Sequence, residues 1–179
     1  MSESNIPSGG VKVTGTPSMS ELQSSPGFPS EERIKKGPVA VIECVEKIPC
    51  NPCEAACSVH HAICIGKDIT SLPDLDEDIC TGCGLCIAPC PGLAIHVLDY
   101  TFETDRASIL FPYEYLPLPE NGQIVQMTDR LGEVICDGEI LKVTNSKRNN
   151  KTAIIKAAFN KKYYKEAVSM KRLPSVINE

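Results

Sequence analysis

Cysteine is the residue type through which this chain does chemistry: ten occur in 179 residues, and nine of them lie between Cys44 and Cys90. Cys80, Cys83 and Cys86 follow one another at two-residue gaps, Cys90 comes after three more residues, and Pro91 follows at once. Counting back from Cys57 reproduces the pattern upstream, because Cys53 and Cys50 stand to Cys57 as Cys86 and Cys83 stand to Cys90. Each half then runs on to an Ala-Ile pair, Ala62-Ile63 and Ala94-Ile95. The halves differ at two places. Val45–Pro49 separates Cys44 from Cys50 where only Thr81-Gly82 separates Cys80 from Cys83, and Ser58 stands where the second half has Pro91. Clustered thiols of this kind hold metal when they are kept reduced. Zinc is one candidate, since paired C-x-x-C sequences build tetrahedral sites, but it needs neither the third cysteine at the same gap nor the Cys-Pro ending. Disulfides are disfavoured, because Met1–Gly10 has no basic and apolar signal-peptide pattern.

The run Cys80-Thr81-Gly82-Cys83-Gly84-Leu85-Cys86-Ile87-Ala88-Pro89-Cys90-Pro91 matches the iron–sulfur spacing of bacterial ferredoxins. The block from about Ile42 to Val97, a third of the chain, resembles the two-cluster bacterial-type ferredoxin domain. The resemblance implies two [4Fe–4S] clusters with crossed ligation. Cluster 1 would take Cys44, Cys50 and Cys53 with Cys90 from the second half; cluster 2 would take Cys80, Cys83 and Cys86 with Cys57 from the first. Gly82 and Gly84 suit this role because they let backbone N–H groups approach the sulfurs. The wide gap after Cys44 fits if Val45–Pro49 bulges outward. The other reading of Cys44 is a strand-end thiol beside a three-iron or absent first cluster. Cys64 and Cys136 are expected to be ordinary small residues, and His60-His61 a solvent-facing pair.

Elements must hold these residues in place. The expected fold class is α+β: a ferredoxin-like two-cluster core, an extended N-terminal arm and a small C-terminal antiparallel β subdomain. Residues 1–37 form a Pro/Ser/Gly-rich arm, with short helical turns over Ser20–Gln23 and Ser30–Lys36, the second capped by Ser30. Its apolar residues Ile6, Val11, Val13, Leu22, Phe28 and Ile34 suit an arm that orders on a partner; a disordered tail is the alternative. Residues 38–99 carry the clusters, with short strands over Val39–Glu43, Ile63–Ile65 and Ile95–Leu98. Residues 100–122 read as a loop-like linker. Residues 123–179 read as a small β subdomain with a basic tail, in which Gly132–Cys136 and Glu139–Thr144 form a hairpin about an Asp137-Gly138 turn, followed by a strand over Thr152–Ala158.

Charge is segregated. Eight acids and no Lys or Arg fall between Asp68 and Asp105, whereas nine basic residues and one acid fall between Ser146 and Arg172. The acidic surroundings should lower the clusters' reduction potentials. The basic tail reads as a solvated face or as a dock for an acidic surface. No nucleic-acid-binding motif accompanies it. No run reaches the ~18–20 apolar residues of a membrane span, so a cytoplasmic location is expected. No catalytic triad, nucleotide fingerprint or paired carboxylates point to a substrate site. The expected function is therefore electron transfer without catalysis on this chain. The arm ending in Gly37-Pro38-Val39-Ala40-Val41-Ile42-Glu43-Cys44, with Ile48-Pro49-Cys50-Asn51-Pro52-Cys53-Glu54 after it, resembles the small iron–sulfur subunits of flavin-dependent amino-acid dehydrogenases of anaerobes, of the D-proline and hydroxyproline type. That narrower resemblance implies FAD or FMN on partner subunits of a hetero-oligomer. The alternative is a free-standing ferredoxin-type carrier with docking extensions.

Overall fold

Short β-branched runs alternate with turns along this chain, and in the computed structural model, which describes residues 9–174, most of them join one antiparallel sheet. Its seven strands lie in the order β1 (Val39–Ile42), β4 (Ile95–Asp99), β5 (Arg106–Tyr113), β8 (Ala153–Asn160), β7 (Val134–Thr144), β6 (Ile124–Thr128) and β9 (Ser169–Met170). A separate ladder pairs β2 (Ile63–Cys64) with β3 (Asp74–Leu75). The α-helices are short: α1 (Val11–Thr14), α2 (Met19–Ser24), α3 (Glu31–Ile34) and α4 (Pro52–Ala56). The fold is mixed α and β, dominated by the antiparallel sheet.

The middle of the sheet is buried on both faces. Ala107, Ser108 and Ile109 of β5 are buried in succession, as are Ala157, Ala158 and Phe159 of β8, so these strands are covered from both sides. Side chains of the cysteine block, including Cys53, Ile63, Cys86 and Ile87, share one contiguous core with Phe111, Ile140, Ile155 and Phe159. At about 1.5–3 kcal/mol for each large side chain withdrawn from water, this shared core joins the cysteine block firmly to the C-terminal strands.

Several expectations are corrected here. The stretch 100–122 is not all loop, because β5 occupies its middle and pairs with β4 on one side and β8 on the other. Ile109, Phe111 and Tyr113 do alternate with less buried residues along it, but Pro112 near its end, with Pro117 and Pro119 beyond, reads as loop. Asp137-Gly138 is not a turn either. Gly138 lies within β7, opposite Val125 and Phe159, where an added Cβ would come within 2.7 Å of the Met127 side chain. Glycine is there for a close approach, not for a reversal. The reversal between β6 and β7 falls at Asp129–Glu133 instead. There Gly132 has φ 83, and the Asp129 carboxylate accepts from the N–H groups of Leu131 and Glu133 at 2.9 Å each. The third expected strand, over Thr152–Ala158, is β8.

Residues 18–34 of the N-terminal segment pack on their own chain. Ser18 and Glu21 form a reciprocal cap at the start of α2, which seats Leu22 in a site with no solvent exposure. Ser30 caps α3 by accepting from the Arg33 N–H at 3.1 Å, and Ile34 is buried. Ile6 lies outside the described residues.

Candidate iron–sulfur site

Strand pairing gathers the cysteines. β1 leads into Cys44 and β4 follows Cys90; the two pair with Ile42 opposite Ile95, and the Glu43 N–H donates to the Ala94 carbonyl at 2.8 Å. β2 follows Cys57 and β3 leads into Cys80; here Ile63 lies opposite Leu75, and the Asp76 N–H donates to the Ala62 carbonyl at 2.8 Å. The strand before each half thus pairs with the strand after the other. The first cysteine of each half is carried toward the last cysteine of its counterpart.

Two sets of thiols result. Cys57, Cys80, Cys83 and Cys86 line one apolar pocket together with Ala40, Ala62, Ile63, Gly82 and Gly84. Burial pushes the Cys86 thiol up to about 12, and the neighbouring Cys80, Cys83 and Cys57 push in the same direction. In the other set, burial raises Cys53 to about 11, with Cys90 and Cys50 adding to the effect. Cys44 is raised by burial and then by Cys90 and Cys50. Residues 46–49 lie exposed, so the longer gap after Cys44 turns outward. Among the described residues no three His, Cys, Asp or Glu side chains converge as on a single metal ion. A cubane, by contrast, spreads its four thiolates over four separate irons.

The internal repeat is also geometric. After Cys57, His61 takes φ 53; after Cys90, Leu93 takes φ 51. In both halves this left-handed residue donates its N–H to the carbonyl of the last cysteine, at 2.7 Å for His61 and 3.1 Å for Leu93. The alanine that follows then aims its own N–H at the sulfur, Ala62 to Cys57 Sγ at 3.2 Å and Ala94 to Cys90 Sγ at 3.4 Å. Non-glycine residues enter this backbone region at a cost, and such strain concentrates at functional sites. Ala40 of β1 points a third N–H at Cys80 Sγ, 3.5 Å away. Such N–H groups stabilise negative charge on sulfur. Gly82, at φ 65, lies against Pro38, whose backbone would stand 2.7 Å from an added Cβ.

The donor set therefore fits iron–sulfur chemistry: thiols in fours, apolar walls and backbone N–H groups aimed at sulfur. Cys64 is exposed and Cys136 half-buried on β7, apart from both sets. His61 is exposed, whereas His60 is half-buried and borders the pocket of the second set. His96, which occupies the position of Cys64 in the repeat, is buried beside Glu43 and Arg130. Sequence spacing did not disclose the supporting shell. Ser25 Oγ donates to the Cys44 carbonyl at 3.2 Å, and Arg33 donates to the Cys80 carbonyl at 2.6 Å. Both come from the segment read as an arm, where neither carries a motif.

Comparison with known proteins agrees with this chemistry. Residues 73–96 match the family model of the 4Fe-4S binding domain, which supports a ferredoxin-type iron–sulfur domain there. Protein Pixie of Drosophila melanogaster is 26% identical over 115 residues, covering 58% of this chain and 19% of that protein. The chain thus corresponds to only a minor part of that relative's length. No solved structure matches. No helix among the described residues is long and apolar enough to cross a membrane.

Proposed function

We propose that this chain is a non-catalytic electron-transfer subunit that holds two [4Fe–4S] clusters within a cytoplasmic flavoprotein oxidoreductase. Cys44, Cys50, Cys53 and Cys90 hold the first, and Cys57, Cys80, Cys83 and Cys86 the second. The observation that supports the reading is the interleaved pairing of β1 with β4 and of β2 with β3, which runs the start of each half beside the end of the other, as crossed ligation needs. A bound [4Fe–4S] cluster supplies reversible uptake of one electron. The chain contributes thiolates, backbone N–H groups on sulfur and walls that keep water away.

Residues 38–99 act as the cluster-bearing unit, and a cleft they share with residues after 99 as the surface that faces partners. Cys83 is exposed and borders a cleft of about 500 Å³ between the turn at residues 83–89 and the basic segment around Arg148. Leu85, Ala88, Pro89, Leu110 and Ile154 line it alongside Asn149 and Asn150. An apolar cleft with a polar rim, opening beside a thiolate ligand, suits the exchange of electrons with a docked partner. FAD or FMN belongs on that partner, and a dehydrogenase for proline-type amino acids is the complex we favour.

A free-standing ferredoxin-type carrier is the second reading. One observation favours it: Leu22 and Ile34 of the N-terminal segment are buried within the chain itself, so they need no partner. Anaerobic purification of the tagged chain from its native host, with iron, sulfide and flavin analysis, separates the two. About eight irons per chain with stoichiometric flavoprotein establish the subunit, whereas the same iron on a lone chain establishes the carrier. Zinc in place of iron would overturn both.

A further inference from the structure

Two arginines are buried in this fold, and they are compensated differently. Arg130 holds the carboxylate of Glu43, with Nη2 to Oε1 at 2.5 Å. Arg33, 9% exposed, has no carboxylate within ion-pair distance among the described residues. Its guanidinium is spent on backbone carbonyls: Nε donates to Glu77 at 2.7 Å, Nη1 to Gly37 at 3.1 Å, and Nη2 to Pro38 at 3.0 Å and Cys80 at 2.6 Å. The side chain of Glu77 is turned elsewhere. The Glu77 carboxylate accepts from the Ser30 N–H at 2.6 Å and from Ser30 Oγ at 2.7 Å.

A buried charge with no counter-ion is destabilising even after relaxation, and carbonyl dipoles offset only part of that. Negative charge would come from Cys80 itself once its sulfur serves as a cluster ligand. Arg33 binds the carbonyl of Cys80, whose sulfur accepts from Ala40 and faces the pocket shared with Cys57, Cys83 and Cys86. Four thiolates around an iron–sulfur core leave a net anion, and reduction makes it more negative. A fixed cation beside Cys80 favours that change.

We propose, on the two-cluster reading above, that Arg33 is the counter-charge of the cluster held by Cys57, Cys80, Cys83 and Cys86: it positions the Cys80 loop and raises the reduction potential of that cluster alone. One electron enters from the redox partner and no proton accompanies it, since the guanidinium stays charged throughout. Helix α3 thereby tunes one redox centre selectively, and the two centres become unequal.

The test is an EPR-monitored redox titration of the full chain, purified anaerobically, with dithionite as reductant. Substitution of the exposed ligand, C83S, marks which signal belongs to this set. In Arg33→Gln the marked signal should lose about tenfold in its reduction equilibrium, a shift of about 59 mV downward for a one-electron couple, while the other signal stays in place. Arg33→Lys, which keeps the charge but not the planar fork, should retain most of the potential. Equal shifts in both signals, or an unmoved potential at full iron content, would overturn the proposal. If Arg33→Gln loses iron from this set, Arg33→Lys decides: retention at near-native potential supports the charge, and loss in both variants refutes it. A wild-type chain with no signal that C83S perturbs would remove the two-cluster reading first, and this proposal with it.

Discussion

At the scale of single residues, burial separates cysteines that look alike in sequence. Cys86 and Cys53 are buried among other thiols, whereas Cys136 is half-buried on β7 next to Asp137 and Cys64 lies in the open. Cys86→Ser should therefore lower iron by about four atoms per chain and bleach part of the visible absorption, whereas Cys136→Ser and Cys64→Ser should leave iron content unchanged. Equal loss from Cys64→Ser would show that the sets are drawn wrongly. His96 behaves differently from an ordinary histidine. Burial holds its pKa down to about 4; the Glu43 carboxylate, 3.8 Å away, pulls upward and Arg130 pushes it further down. The folded state thus binds fewer protons than the unfolded chain between about pH 4 and the ordinary histidine value near 6.5. The stability contributed by the neutral ring is complete above pH 6.5 and falls as the pH drops through that window, by an amount on the order of 3 kcal/mol. His96→Gln should flatten the loss of Tm between pH 7.5 and 5 relative to wild type; parallel Tm curves for the two proteins would refute the assignment.

At the scale of elements, turns decide whether the thiols converge, and here the sequence was legible in part. The cysteine spacing, β1, β2, β4, β8, and the Ser30 cap on α3 could all be read from local pattern, because each depends on a short run of β-branched residues, a polar cap or a fixed gap. What could not be read depends on contacts between distant segments. β5 hides because Pro112 within it reads as a loop residue, Gly138 mimics a turn residue while serving a close approach to Met127, and Arg33 finds its carbonyls only once α3 lies against the Cys80 loop. The left-handed Leu93 carries no sequence signal, and His61 only the mild preference of histidine for that region. Gly82 was legible and is testable. Its φ of 65 and the nearness of the Pro38 backbone penalise any side chain, so Gly82→Ala should cost about 1–3 kcal/mol and weaken cluster retention. Gly92, with nothing within 4 Å of an added Cβ and no left-handed φ, is the control: Gly92→Ala should be neutral or slightly stabilising in the same thermal unfolding experiment.

At the scale of the whole molecule, a buried ion pair ties the cysteine block to the C-terminal strands. Glu43 sits between β1 and Cys44, and Arg130 reaches it from the turn joining β6 to β7, with Nε at 3.0 Å and 3.1 Å from the two carboxylate oxygens. Nη1 of Arg130 also donates to the Lys165 carbonyl at 2.8 Å, which fixes the chain just before β9. Removing one partner leaves the other charged and enclosed, so Arg130→Met should cost about 3–5 kcal/mol. Arg130→Lys should recover little of it, because an ammonium cannot match both carboxylate oxygens and a carbonyl in one plane. Replacing both partners removes both desolvation costs. The double variant Glu43→Leu with Arg130→Met should therefore be markedly more stable than the sum of the single changes predicts. Thermal unfolding of the four proteins at neutral pH measures this coupling, and strict additivity would mean that the two residues stabilise the fold independently. Iron content in the same samples carries the result to function. If the pair holds the backbone at Cys44 in place, Arg130→Met should lose iron from the set of Cys44, Cys50, Cys53 and Cys90 before the other set is affected.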